Sequence, residues 1–128
     1  MRGSKQDLPI VGEFDTPDGH VTLREFEWGE MNVALENFPA GTDTHPLFRG
    51  LPDDACQCPH WGYIVKGSVR VVFRDHEETL TTGDLYYLQP GHNLIYGEDT
   101  ELVEFSPRGI YQQTMEVASQ NLAAMLAG

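Results

Sequence analysis

From residue 20 to residue 106 the chain is a succession of short strand-forming segments cut by glycine and proline, and this punctuation limits the fold more than any other feature. HVTLREFEW (20–28) and MNVALENF (31–38) open the series, and in the second Met31, Val33 and Leu35 alternate with polar or small residues. Side chains of an extended strand point alternately to its two faces, so this period-two spacing predicts strands. A loop rich in Pro, Gly and Asp follows (39–55), long enough in a compact domain to suggest a functional role. CQCPHWGYIVKG (56–67) then runs into SVRVVFR (68–74), where Val69, Val71 and Phe73 share a face. DHEE (75–78) and PGH (90–92) have turn composition, and LYYLQ, NLIYG and ELVEFS complete the strand series. Short strands at near-regular spacing predict an all-β sandwich or small barrel.

The two ends read differently. Residues 1–19 are polar, contain Pro and Gly, and form an arm or an edge strand. In the tail, IYQQTMEVASQNLAAMLA (110–127) places Met115, Ala118, Leu122 and Met125 at helical spacing among good helix formers. Ser106 followed by Pro107 suits the start of that helix. The organisation expected is an N-terminal arm (1–19), a barrel (20–106) and a C-terminal α-helix (107–128), within the 128 residues that suit one core.

Charge narrows the partners. A formal net charge of −12 and a pI near 4.5 oppose binding to nucleic acid or to an anionic membrane. No apolar run approaches the ~20 residues of a membrane span, and no basic-then-apolar leader is visible, so a cytoplasmic location is expected. Two cysteines make no disulfide framework, and Cys56 and Cys58, as near neighbours on one strand face, do not meet disulfide geometry.

Within CQCPH, Cys56, Cys58 and His60 occupy every second position, so one strand face carries two thiols and an imidazole. HWGYIVKG followed by TTGDLYYLQPGHNLIYGEDTELVEFSP resembles the cupin superfamily over about residues 20–106. That resemblance implies a jelly-roll barrel. It also implies a metal site, normally three histidines and a glutamate in two motifs. Counted from Gly67, His60 falls in the glutamate slot, Cys56 in the second histidine slot and Asp54 in the first. Counted from Gly83, Leu94 falls in the last histidine slot, with His92 two positions earlier on the same face. The family's usual ligand set is therefore replaced by Cys56, Cys58, His60 and His92, with Asp54 nearby. The cupin resemblance turns this face inward. Gly62 leaves room beside His60, and Trp61, Tyr63 and Val65 face outward. Three large apolar groups need a cover, either the tail helix or a second subunit, so a homodimer is expected.

Thiolate and imidazole donors suit Zn²⁺ and disfavour Mg²⁺, Ca²⁺ and Mn²⁺, with Fe²⁺ as the alternative metal. Four protein ligands would close the site for a structural metal; three would leave a position open. The reading preferred is a metal-dependent enzyme of lyase or isomerase type on a small organic molecule, with His60 and His92 as metal ligands and catalytic residues. The alternatives are a non-catalytic ligand-binding or sensor domain with a structural metal, and an iron-dependent dioxygenase. A redox-sensitive thiol pair ranks last, since it needs a depressed thiol pKa. His45 reads as a loop residue, His20 and His76 as surface residues, and Glu104 as solvent-facing. One of the adjacent Tyr86 and Tyr87 points into the barrel, and packing is the role expected of it.

Overall fold

A computed structural model describes residues 1–127. The predicted strands form, except that CQCP (56–59), expected at the start of one, lies outside it. They are β1 (Ile10–Thr16), β2 (Gly19–Trp28), β3 (Met31–Phe38), β4 (His60–Lys66), β5 (Ser68–Val72), β6 (Glu77–Thr81), β7 (Leu85–Leu88), β8 (Asn93–Tyr96) and β9 (Thr100–Pro107). The long loop holds two 3-10 turns, His45–Phe48 and Pro52–Asp54. One helix, α1 (Arg108–Ala127), closes the chain, and the last residue of the expected 107–128 segment lies outside the described residues.

The strands make two antiparallel sheets, one in the order β1-β2-β3-β9-β4-β7 and a smaller one in the order β6-β5-β8. The chain changes sheets between β4 and β5 at Gly67, whose φ is +112°. A Cβ there would also sit 2.4 Å from Thr100 Oγ1 and 2.6 Å from the Asp99 carbonyl oxygen, so both conformation and space require glycine. At one end the two sheets bury Ile64, Val69, Val71, Tyr86, Leu88, Tyr96 and Leu102 as a common apolar core. This is the jelly-roll arrangement expected of an all-β cupin barrel with a C-terminal helix.

Register decides which residues enter the barrel. Across the large sheet, Glu25, Ala34, Glu104, Gly62 and Tyr86 lie side by side in one row. The flanking row Phe26, Val33, Phe105, Trp61 and Tyr87 faces the opposite way, as does the row Arg24, Leu35, Val103, Tyr63 and Leu85. Met31, Val33 and Leu35 therefore look away from the barrel, and Asn32, Ala34, Glu36 and Phe38 look into it.

The outer face is covered otherwise than expected. The arm crosses part of it: Lys5 Nζ pairs with Glu101 at 3.0 Å, Arg24 Nη1 donates to the Leu8 carbonyl at 2.9 Å, and Leu8 is buried. Helix α1 does not reach Trp61, Tyr63 and Val65, which stay 44%, 41% and 38% exposed beside Tyr87, Leu85 and Phe105. It packs instead across the barrel mouth. Tyr111, Thr114 and Ala118 are buried there, and Asn121 Nδ2 donates to the Leu47 and Arg49 carbonyls at 2.7 and 2.9 Å. Met125, the last residue of the expected stripe, is exposed. Nor does Ser106 cap the helix; it is the buried inner residue near the end of β9.

Candidate metal centre and ligand cavity

Cys56 precedes β4 and is tied to the segment before β8. Its N–H donates to the His92 carbonyl at 2.9 Å, and the His92 N–H donates back to the Cys56 carbonyl at 3.3 Å. His60 opens β4, so a short approach brings all three side chains to one point. Cys56 Sγ, a nitrogen of His60 and a nitrogen of His92 lie within 4.8 Å of one another, all buried. Among the described residues this is the one such group of His, Cys, Asp or Glu donors.

The imidazoles are oriented by their far nitrogens. His92 Nδ1 lies 2.8 Å from the Gln89 carbonyl, which can only accept, so Nδ1 carries the proton and Nε2 keeps its lone pair for a metal. His60 Nδ1 meets Ser106 Oγ at 2.6 Å, while Nε2 lies 3.5 Å from Cys56 Sγ. Oxygen partners on the outer nitrogens are the usual support for metal-binding histidines. Burial holds both rings well below the ordinary histidine range, at about 4, so at neutral pH both are uncharged, as a metal requires; the proximity of His60 lowers His92 further. Burial pushes the Cys56 thiol up, so a metal would displace its proton on binding. Raised thiols oppose the redox-sensor reading, and both cysteines are free.

The other expected donors fall elsewhere. Cys58 is buried, but its Sγ contacts the Pro59 carbonyl at 3.5 Å and lies outside the Cys56–His60–His92 group. The break in strand geometry before β4 turns it away from the common point. Asp54 is exposed, in a left-handed backbone conformation, and accepts from the Gly50 N–H. His20 and His76 are exposed and His45 is half-buried, and each pairs with a neighbouring acid. Leu94 lines the cavity but offers no donor.

Glu104, expected in solvent, is buried inside the barrel. Its Oε1 accepts from Tyr86 Oη at 2.8 Å, and its Oε2 lies 3.5 Å from His60 Nδ1. Burial raises its carboxyl from 4.5 to about 7. Tyr86 is the inward tyrosine and Tyr87 the outward one, and Tyr86 does more than pack, since it holds Glu104. The space beside His60 is not empty either. A Cβ on Gly62 would meet Tyr86 Cζ at 2.3 Å and the Val103 carbonyl at 2.5 Å, so Gly62 makes room for the Tyr86 ring.

Cys56, His60 and His92 form part of the wall of a cavity of about 310 Å³ between the large sheet and α1. Phe14, Phe38, Phe48, Tyr96 and Tyr111 give it an aromatic lining, and Glu25, Glu36 and Glu104 project into it. Glu25 accepts from Tyr111 Oη on α1. Sequence inspection misses Glu25 and Glu36 altogether. The one signal for them is that the polar positions of β2 and β3 alternate with residues too apolar for an exposed face.

The two-sheet barrel with donors converging at its mouth defines a small cupin. A model of the AraC-like ligand binding domain matches residues 59–123, and the chain belongs to that family. No curated protein matches it in sequence. Among solved structures it is similar to an RmlC-like cupin from Shewanella frigidimarina (16% identity, 82% of this chain and 88% of that one, TM-score 0.56). It is also similar to the polyketide cyclase RemF from Streptomyces resistomycificus (16% identity, 84% and 79%, TM-score 0.59). A third is a putative ethanolamine utilization protein from Salmonella typhimurium (10% identity, 82% and 84%, TM-score 0.58). At these identities the likeness is one of fold. Among the described residues no helix is long and apolar enough to cross a membrane.

Proposed function

We propose that this ligand-binding cupin holds Zn²⁺ on Cys56, His60 and His92 and acts as a non-redox, metal-dependent enzyme of lyase or isomerase type on a small organic molecule. The observation that carries the reading is the convergence of three donors on a cavity wall, with both histidine Nδ1 atoms already occupied by oxygen partners. The mixed thiol and imidazole set fits zinc, and iron is the alternative. With Cys58 outside the group, three protein residues would hold the ion, the ligand count of a catalytic rather than a closed structural site.

When bound, the ion supplies Lewis acidity toward a carbonyl or a water. The chain supplies the rest. Ser106 and Gln89 fix the two rings, and α1 excludes water from the mouth. Glu104, with its carboxyl near 7, is placed to hold or move a proton at Oε2, beside His60. Tyr86 orients that carboxyl through Oε1.

The exposed apolar face around Trp61, Tyr63, Leu85 and Tyr87 supports a homodimer through the large sheet. Two free thiols fit a reducing, cytoplasmic setting, and the net charge of −12 opposes a nucleic-acid partner. Elemental analysis of protein purified without chelator, beside His60→Ala, tests the metal. Near-stoichiometric zinc lost in the variant supports the reading. Absence of metal even after zinc and iron are offered overturns it.

A further inference from the structure

The cavity lining is unbalanced in charge. Three glutamates project into it and no lysine or arginine does. Two of the three have phenolic partners, Tyr86 for Glu104 and Tyr111 for Glu25. Glu36 has none: the residue is 9% exposed, lines the cavity, and accepts no hydrogen bond from any described residue. A buried carboxyl without a donor is costly unless something else in the site satisfies it. A second metal does not fit, because Glu25, Glu36 and Glu104 do not bring their oxygens together as Cys56, His60 and His92 bring their donors. What fits is a group that brings its own hydrogens and positive charge, on a body that tolerates aromatic walls.

We propose that the cavity binds a small amine as its ammonium form, with the nitrogen on Glu36 and an apolar or aromatic body against Phe14, Phe38 and Phe48. The proposal rests on the reading of this cavity as the ligand site and names the ligand's chemical class. Depth orders the contacts. Glu36 lies in the row next to Glu104 and Glu25, toward the apolar core residues Leu102 and Ile64, so the charged end enters first. The body then fills the space under α1, where Met115 and Leu122 close the mouth. A volume of about 310 Å³ lies at the small end of ligand pockets, so a single-ring or short-chain amine is the size class. Charge-assisted hydrogen bonds in a water-poor site are strong, so the ammonium distinguishes this ligand from a neutral isostere.

The test is calorimetric titration of the zinc-loaded full chain with three probes of one shape, 2-phenylethylamine, 2-phenylethanol and phenylacetate, against wild type and Glu36→Gln. The amine is expected to bind wild type about tenfold or more tighter than the alcohol, with phenylacetate weakest, and Glu36→Gln is expected to erase the preference for the amine. If Glu36→Gln does not fold, the order of the three probes on wild type still decides. Equal binding of amine and alcohol, or no binding of any probe, overturns the proposal. So does an unchanged amine preference in folded Glu36→Gln. Tighter binding of phenylacetate than of the amine also overturns it while supporting the metal centre, and zinc content measured on the same samples separates failure of the ligand class from failure of the metal reading.

Discussion

His60 Nε2 lies 3.5 Å from Cys56 Sγ, while the opposite nitrogen of the same ring lies 2.6 Å from Ser106 Oγ. One imidazole thus joins a loop thiol to the end of β9, and the ring cannot turn without losing a partner. This pairing sets the first expectation. Cys56→Ser, His60→Ala and His92→Ala each abolish stoichiometric zinc, whereas Cys58→Ser retains it. Ser106→Ala keeps the metal but weakens it about tenfold or more, the usual cost of losing a partner that orients a ligand. Competition titration with a zinc chelator reads all five variants. Zinc retained by Cys56→Ser and lost by Cys58→Ser would reverse the assignment.

Buried histidines and a buried glutamate push the pH dependence of metal-free stability in opposite directions. His60 and His92 are lowered from 6.5 to about 4, so each contributes stability that is full above pH 6.5 and lost as pH falls toward 4. Glu104 is raised from 4.5 to about 7, so it contributes stability that is full below pH 4.5 and lost as pH rises through 7. Two imidazoles are opposed by this carboxyl and by the buried Glu36, which burial raises in the same direction, so wild type is expected to have a shallow profile between pH 4.5 and 6.5. Glu104→Gln gains on wild type as pH rises from 4.5 to 7, by the order of 3 kcal/mol, and then runs parallel. His60→Gln gains on wild type in the other direction, as pH falls from 6.5 to 4. Denaturant midpoints in chelator at four pH values check both signs, and parallel profiles for all three proteins would contradict them.

Gly62 and Tyr86 share a space that admits only one side-chain atom set. Gly62→Ala places a Cβ 2.3 Å from the Tyr86 ring and 2.5 Å from the Val103 carbonyl oxygen, so the ring and the β4–β9 pairing must both move. The expected cost is about 1–3 kcal/mol, that of an overpacked core. The displaced phenol also frees Glu104 from its hydrogen bond. Tyr86→Phe removes that bond without the clash, so its loss of stability is the smaller. Chemical denaturation orders the two, and a neutral Gly62→Ala would mean that both the ring and the β4–β9 pairing yield without cost.

The outer sheet face carries Trp61 stacked on Tyr87 at 5.1 Å between ring centroids, both exposed in the single chain. If a second copy covers this face, a Trp61→Glu, Leu85→Glu double variant is monomeric where wild type is dimeric. The barrel itself stays folded, because neither side chain enters it. Sedimentation velocity with circular dichroism distinguishes the outcomes, and a monomeric wild type would remove the dimer.

Much of this was legible in the chain because strand physics is local. The run MNVALENF becomes a strand over those same residues, and the turns fall at the Gly- and Pro-rich breaks. Cys56, His60 and His92 were visible as donors because few residue types bind zinc and these stand at alternating or motif-related positions. Which face is the inside was harder. Alternation in β3 reveals two faces but does not say that the polar one, carrying Glu36, is the interior, since an apolar face normally turns to the core. The same preference misplaces Glu104 in solvent.

The sequence by itself determined the strands, the terminal helix, an all-β fold and the residue types able to hold a metal. Each of these follows from propensity, periodicity or side-chain chemistry within a short window. Only the tertiary structure decided that Cys58 stands apart from the donor group and that Ser106 supports His60 instead of capping a helix. It alone decided that Tyr86 fills the space left by Gly62, and that α1 closes the cavity and leaves the outer face bare. Those outcomes depend on the register between strands distant in sequence: Glu104 stands opposite both Ala34 and Gly62, and no local pattern encodes that pairing.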